Sequence, residues 1–232
     1  MRLLDYDDYD SKLGRRASIL HSHRDCGNET IMIHNQSHAP VWRAALPYMR
    51  ARKNDIHVPI SYRFAERLVD AHPEADREVV LLAILLHDTG WAEMDSAEII
   101  ANAFGPNMKE VMQSDVRRQH EMIGARIAGE ILSSLHYPEA LIDEVVLLID
   151  GHDSRTHALS LNDQLLKDAD KLWRFTTVGI AIACDWHKKN PPQYVEYLDR
   201  DVYPSLFTET ARELATEALS NARAELLLEL LH

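Results

Sequence analysis

Little in this chain of 232 residues points toward large partners. Its two cysteines, Cys26 and Cys184, do not make a disulfide framework, so reduced thiols in the cytoplasm are the expectation. Positive charge is in the minority, with 25 lysines and arginines against 37 aspartates and glutamates and a formal net charge of −12. That balance repels polyphosphate backbones and anionic lipid, setting extended nucleic acid and membrane aside as partners while leaving room for a small anion in a local basic pocket. Long apolar runs are missing too. The longest aliphatic stretch, Val79 to Leu86, is too short to span a bilayer, and the acidic opening from Met1 to Asp8 carries no visible secretory signal. Internal repeats, low-complexity tracts and alternating strand patterns are absent. With 46% hydrophobic and 27% charged residues, the composition is that of a globular protein able to bury a full core.

What the chain does have is helical periodicity. From residue 57 onward apolar positions recur at a spacing near 3.6: Ile60, Phe64 and Leu68; Val79, Val80, Ala83 and Leu86; Val116, Ile123, Ile127 and Ile131; Ile142, Val145, Val146 and Ile149. Breaks fall between these stripes at His72-Pro73, Gly105-Pro106 and Tyr137-Pro138. Asn162-Asp163 reads as the cap of a further helix, and a long one runs from Thr208 or Thr210 toward Leu231. The pattern predicts an all-α fold, with a helical bundle over residues 51–232. Residues 1–50 form an arm packed on it, rich in charge, histidine and turn formers, with Ile31 and Ile33 hinting at a short extended piece. Near the C-terminus, Leu226, Leu227, Leu228, Leu230 and Leu231 suit packing on the same bundle or on a second copy in a homo-oligomer.

Thirteen histidines ask for a reason. His57, His87, His120 and His152 are separated by 30, 33 and 32 residues, and the midpoints of those intervals coincide with the three proline-containing breaks. Each interval therefore reads as one helix out, a turn and one helix back. Legs of about fifteen residues cover roughly 22 Å at about 1.5 Å per residue, so the chain returns each time to the end it left, and the four imidazoles gather there. Asp88 ends the most apolar segment of the chain, where an ionised carboxylate needs a compensating cation. His120 shares a helical face with Ile123 and Ile127, His152 lies just beyond Ile149, and Asp170 is placed to face inward beside Leu166. Imidazoles mixed with carboxylates suit a divalent transition metal, Fe, Mn, Zn, Ni or Co, better than Ca or Mg. Six such ligands exceed the need of one ion, and two ions sharing Asp88 and a bridging hydroxide use them naturally.

The ordered set of His57, the adjacent His87-Asp88 within Leu-Leu-His-Asp-Thr-Gly, and Asp170 within Asp-Ala-Asp-Lys-Leu resembles the HD superfamily of metal-dependent phosphohydrolases, named for that His-Asp pair. The resemblance covers about residues 55 to 175. It implies an HD-domain helical bundle in which His57, His87, Asp88 and Asp170 are the core ligands. His120, in His-Glu-Met-Ile-Gly-Ala, and His152, in Gly-His-Asp, resemble the extra ligands of the dinuclear members. In that family the metals activate water to attack a phosphoester, while certain dinuclear members resemble inositol and phosphonate oxygenases that use mixed-valent iron and dioxygen. One position departs from the pattern: many relatives carry Lys or Glu three residues after the Asp of the pair, where this chain has Trp91.

Three functions follow as expectations. The first is a metal-dependent phosphohydrolase acting on a small phosphorylated compound such as a nucleotide, with metal-bound hydroxide as nucleophile. Asp88 would be central to it, and Lys171, Arg118 or Arg155 would clamp the phosphate. Arg117 and Arg174 also flank the ligands. The second is an HD-type di-iron oxygenase cleaving a C–C or C–P bond, and the third a sensor that binds without turnover. Among the remaining residues, His21, His23, His34 and His38 read as loop histidines on the surface and Asp153 as a helix-terminus cap; either Asp168 or Asp170 could be the ligand and the other a solvated charge, and the family resemblance favours Asp170. Trp173, Phe175 and Trp186 read as core.

Overall fold

The structure is a computed structural model that describes residues 36–94 and 115–229, all within the unit spanning 33–232. Regular structure among these residues is entirely helical. The α-helices are α1 (Ala39–Ala45), α2 (Asn54–Ala71), α3 (Arg77–Leu86), α4 (Asp115–Ser134), α5 (Glu139–Ile149), α6 (Leu161–Leu172), α7 (Thr177–His187), α8 (Pro191–Tyr197) and α9 (Glu209–Glu229), joined in places by single 3-10 turns.

The stretch that is too short for a membrane is the centre of the bundle. Every residue from Val79 to Leu86 of α3 is buried, which explains why the segment is apolar on all sides. Helices α2, α5 and α6 pack around it. Asp76 caps α3 by accepting from the backbone of Glu78 and Val79. No helix among the described residues is long and apolar enough to cross a membrane.

Two of the three out-and-back intervals can be followed directly. Helix α2 ends at Ala71 before His72-Pro73, and α3 returns to His87; α4 ends at Ser134 before Tyr137-Pro138, and α5 returns toward His152. The Gly105-Pro106 break lies outside the described residues, as do Cys26, Ile31, Ile33, His21, His23 and His34. The side chains of Leu226, Leu227 and Leu228, together with Leu230 and Leu231, also lie outside them.

Several sequence expectations shift. Residues 36–50, read as the end of the arm, are largely helical, and Val41, Trp42, Ala45 and Met49 join the main core. His38 is fully buried rather than on the surface: one ring nitrogen lies 2.6 Å from the Tyr62 hydroxyl and the other 3.0 Å from a Glu78 carboxylate oxygen. Such a contact between distant residues leaves no periodic trace. Helix α6 is capped by Ser160, not by Asn162-Asp163, because the Asn162 side chain is drawn away to accept from the Asp76 amide. Thr208 does cap α9, accepting from the Ala211 amide. Asp168 is no solvated charge: it is fully buried and accepts from the backbone of Phe207 and Thr208, tying the start of α9 to α6.

Candidate metal centre

The His-Asp pair sits where α3 runs into a 3-10 turn, Thr89–Glu93. Gly90 makes this turn possible. A Cβ there would lie 2.0 Å from the carbonyl oxygen of His120, and one at Gly124 would lie 3.0 Å from that of His87, so the two glycines allow backbone to meet backbone and bring His87-Asp88 against α4. His57 faces the same point from the first turn of α2, and Asp170 does so from the last turn of α6. His152 follows Gly151, whose φ of 119° only glycine adopts readily. Its loop is tied down by Lys167, whose ammonium donates to the carbonyls of Gly151, His152 and Arg155 at 2.7, 2.8 and 3.0 Å. Glu121 accepts from the amides of Asp153 and Ser154.

All six predicted ligands converge, and all six are buried. The Nε2 atoms of His57 and His87 are 3.0 Å apart, and each lies close to Asp170 Oδ1, at 3.2 and 3.3 Å. The Nε2 atoms of His120 and His152 are 3.4 Å apart. Asp88 stands between these pairs: Oδ2 is 3.6 Å from His57, while Oδ1 is 3.6 Å from His120 and 3.7 Å from His152. Two overlapping groups, His57–His87–Asp88 and Asp88–His120–His152, each have donor atoms within 4.8 Å of one another.

The hydrogen bonding fits a cation. Nδ1 of His87 meets the Ile84 carbonyl at 2.8 Å and Nδ1 of His152 meets that of Ile149 at 2.9 Å. A carbonyl only accepts, so both rings carry their proton on Nδ1, and when neutral they present Nε2 lone pairs to the cluster. The Nδ1 atoms of His57 and His120 are buried with no hydrogen-bond partner among the described residues. Four imidazole nitrogens and two carboxylates at these separations form a set of acceptors that repel one another unless protons or metal ions lie between them. Nitrogen and carboxylate donors suit a divalent transition metal.

Without an ion, protons do that work. Burial lowers the pKa of His152, but Asp88 more than reverses this and lifts it to about 9; His87 is likewise raised, by Asp88 and Asp170 against burial. Burial wins at His120, brought down to about 4, and at His57. Both carboxyls are driven well below their ordinary range despite burial, Asp88 chiefly by His87 and Asp170 chiefly by its hydrogen bonds to His57 and His87.

A small cavity opens on the cluster. Its walls include Arg174, one of the cations expected to flank the ligands, and also Arg52, Asn54, Asp153, Trp173 and Trp186, which were not expected in the site. Trp173 sets its edge against His57, with ring centroids 4.7 Å apart, so it is a wall of the site as well as core; Trp186 is only half-buried. Among the described residues the Asp153 side chain caps no helix, and it is gripped by Arg117, whose Nε donates to it at 2.7 Å. Trp91 donates its indole N–H to Asp88 Oδ1 at 2.9 Å and stacks on His120 with centroids 4.0 Å apart.

The three cations expected to clamp phosphate are engaged elsewhere, and none lines the cavity. Lys171 donates to the Ser205 carbonyl, Arg118 pairs with Asp150 and Glu121, and Arg155 with Asp163 and the Asp150 carbonyl. Helical angle explains two of these. Lys171 is one residue from Asp170 and Arg118 two from His120, about 100° and 200° around the helix, whereas Arg174 is four residues from Asp170 and returns to its face. Arg52 had no such signal, since it precedes α2 in an irregular turn.

The model of the HD domain family matches residues 55–174, more than half of the chain, and the protein belongs to that family, of the metal-dependent phosphohydrolase type. Searches of curated proteins and of solved structures find no match.

Proposed function

We propose that the protein is a phosphohydrolase that removes phosphate from a small phosphorylated compound with the help of two divalent transition-metal ions held by His57, His87, Asp88, His120, His152 and Asp170. The observation that carries this reading is the division of four Nε2 atoms into two close pairs with the two oxygens of Asp88 between them. Bound there, such ions supply Lewis acidity toward phosphoryl oxygens and make water acidic enough to attack at neutral pH.

The chain's own groups orient and enclose. The Ile84 and Ile149 carbonyls fix two imidazoles in the tautomer that presents Nε2. Asn54 donates to the Asp88 backbone carbonyl at 3.0 Å, and Trp91 to the Asp88 carboxylate, so the shared residue is held at both its backbone and its side chain. Trp173 and Trp186 wall the cavity against bulk water. Asp153, kept ionised by Arg117 despite burial, accepts a proton-bearing group but has no proton to give.

The test is phosphate release from a panel of nucleotides and an aryl phosphate by protein loaded with Mn or Co. Metal-dependent release is expected. A protein that demonstrably holds metal and releases phosphate from nothing on the panel contradicts the reading, and a substrate-responsive mixed-valent signal from the iron-loaded protein points instead to oxygenation.

A further inference from the structure

Two guanidiniums line the cavity that the histidine cluster does not use, Arg52 and Arg174. They reach it from distant parts of the chain, one from the turn before α2 and the other from the 3-10 turn that follows α6.

Arg52 is held there against local preference. Its backbone is left-handed (φ 50°, ψ 30°), and so is that of Lys53 (φ 58°, ψ 34°). For residues with a Cβ this costs on the order of 1–2 kcal/mol each, and such strain concentrates where a site needs a side chain aimed in a disfavoured direction. What the strain achieves is visible: the guanidinium carbon lies 4.2 Å from the centre of the Trp91 ring and 5.1 Å from that of Trp186. Stacking uses the faces of a guanidinium and keeps its N–H fork in plane for an oxyanion. Because Trp91 itself stacks on His120, Arg52, Trp91 and His120 form one ladder at the cavity wall.

Arg174 brings a separate observation. Its Nε is buried and has no hydrogen-bond partner among the described residues. A buried guanidinium N–H left without an acceptor is costly, and a ligand oxygen removes that cost.

We propose that Arg52 and Arg174 form a two-armed clamp for the phosphoryl group of a small phosphomonoester beside the histidine cluster. This assignment rests on the phosphohydrolase reading, and its test is built to fail separately. Binding of inorganic phosphate to the full-length manganese-loaded protein is measured by calorimetry for wild type, Arg52→Ala and Arg174→Ala, with Arg126→Ala as a surface comparison. Each clamp variant is expected to bind phosphate about tenfold more weakly at unchanged manganese content, the loss of a charged hydrogen-bonding partner, while Arg126→Ala matches wild type. Should an alanine variant not fold, the corresponding lysine variant is read instead: charge is kept but the planar fork is lost, and affinity falls about threefold or more. Phosphate affinity within twofold of wild type in both clamp variants, with manganese bound, overturns the clamp. Turnover is scored apart. Weakened phosphate binding in the clamp variants with no substrate hydrolysed by wild type keeps the clamp and removes the hydrolase, whereas hydrolysis with unaltered phosphate binding does the reverse.

Discussion

The two halves of the histidine cluster are built differently. The half made by His57 and His87 has a carboxylate of its own, Asp170, within 3.3 Å of both rings, and shares Asp88 through Oδ2 and Oδ1. Among the described residues the half made by His120 and His152 has only Asp88 Oδ1 within 4 Å, with the Asp153 carboxylate farther off, and Oδ1 already accepts from Trp91. Support differs as well: His57 and Asp170 come from regular helices, while His152 comes from a loop that depends on Lys167 and Glu121 for its shape. Under the two-ion proposal, the nearer carboxylates would make the first half the tighter ion site, and the second, with fewer protein oxygens, would leave more of an ion's coordination open to water and substrate.

Replacing the shared residue is the severest challenge to this contrast. Asp88→Ala is expected to lose both ions and all measurable turnover, read by metal analysis beside the phosphate assay; a variant that keeps either would show that the halves do not meet at Asp88. One step down, Asp170→Asn should empty the first half, whereas His152→Ala should remove the second ion and leave the first. Identical metal losses in the two variants would erase the distinction.

Protons sharpen it further. The His152 pKa, raised to about 9 in the ion-free protein, makes its charge a source of stability that is fully present below the ordinary histidine value near 6.5 and lost as pH climbs through about 9. Asp88 and Asp170 are already ionised across that window. Ion-free protein should therefore melt several degrees lower at pH 9 than at pH 6.5, while the metal-loaded form, with an ion in place of the proton, shows little such fall. Equal pH profiles for the two forms would mean that no proton is exchanged for metal. The smallest effect belongs to Trp91→Phe. It keeps the stack on His120 but loses the donor to Asp88 Oδ1, and it should weaken the second ion about tenfold while sparing the first, as seen in a metal titration. Unaltered affinity would make that hydrogen bond incidental.

The contrast between halves also marks where sequence reasoning worked. Regular spacing of four histidines about proline breaks was enough to gather the ligands, because helix length and turn position are local properties. Asp170 was legible from its apolar neighbours together with the family register, which favoured it over Asp168. Cations were not. Arg118 and Lys171 stand beside ligands in sequence but point away from them around the helix, and Arg52 enters the cavity through two consecutive left-handed residues that no periodicity signals. His38 and Asn162 were misread in kind, since each is held by a residue from a distant element, Tyr62 or Asp76. Trp91 stood out only as a substitution, and its work as donor and shelf became visible once Asp88, His120 and Arg52 were placed around it.

The most direct measurement is a titration of metal-free protein with manganese, followed by metal analysis of the saturated protein, run on wild type and His152→Ala. Two ions per chain with unequal affinities in wild type, and one ion at the tighter affinity in the variant, is the predicted result. A single ion in wild type, or complete loss of metal in the variant, would contradict a two-ion centre with unequal halves.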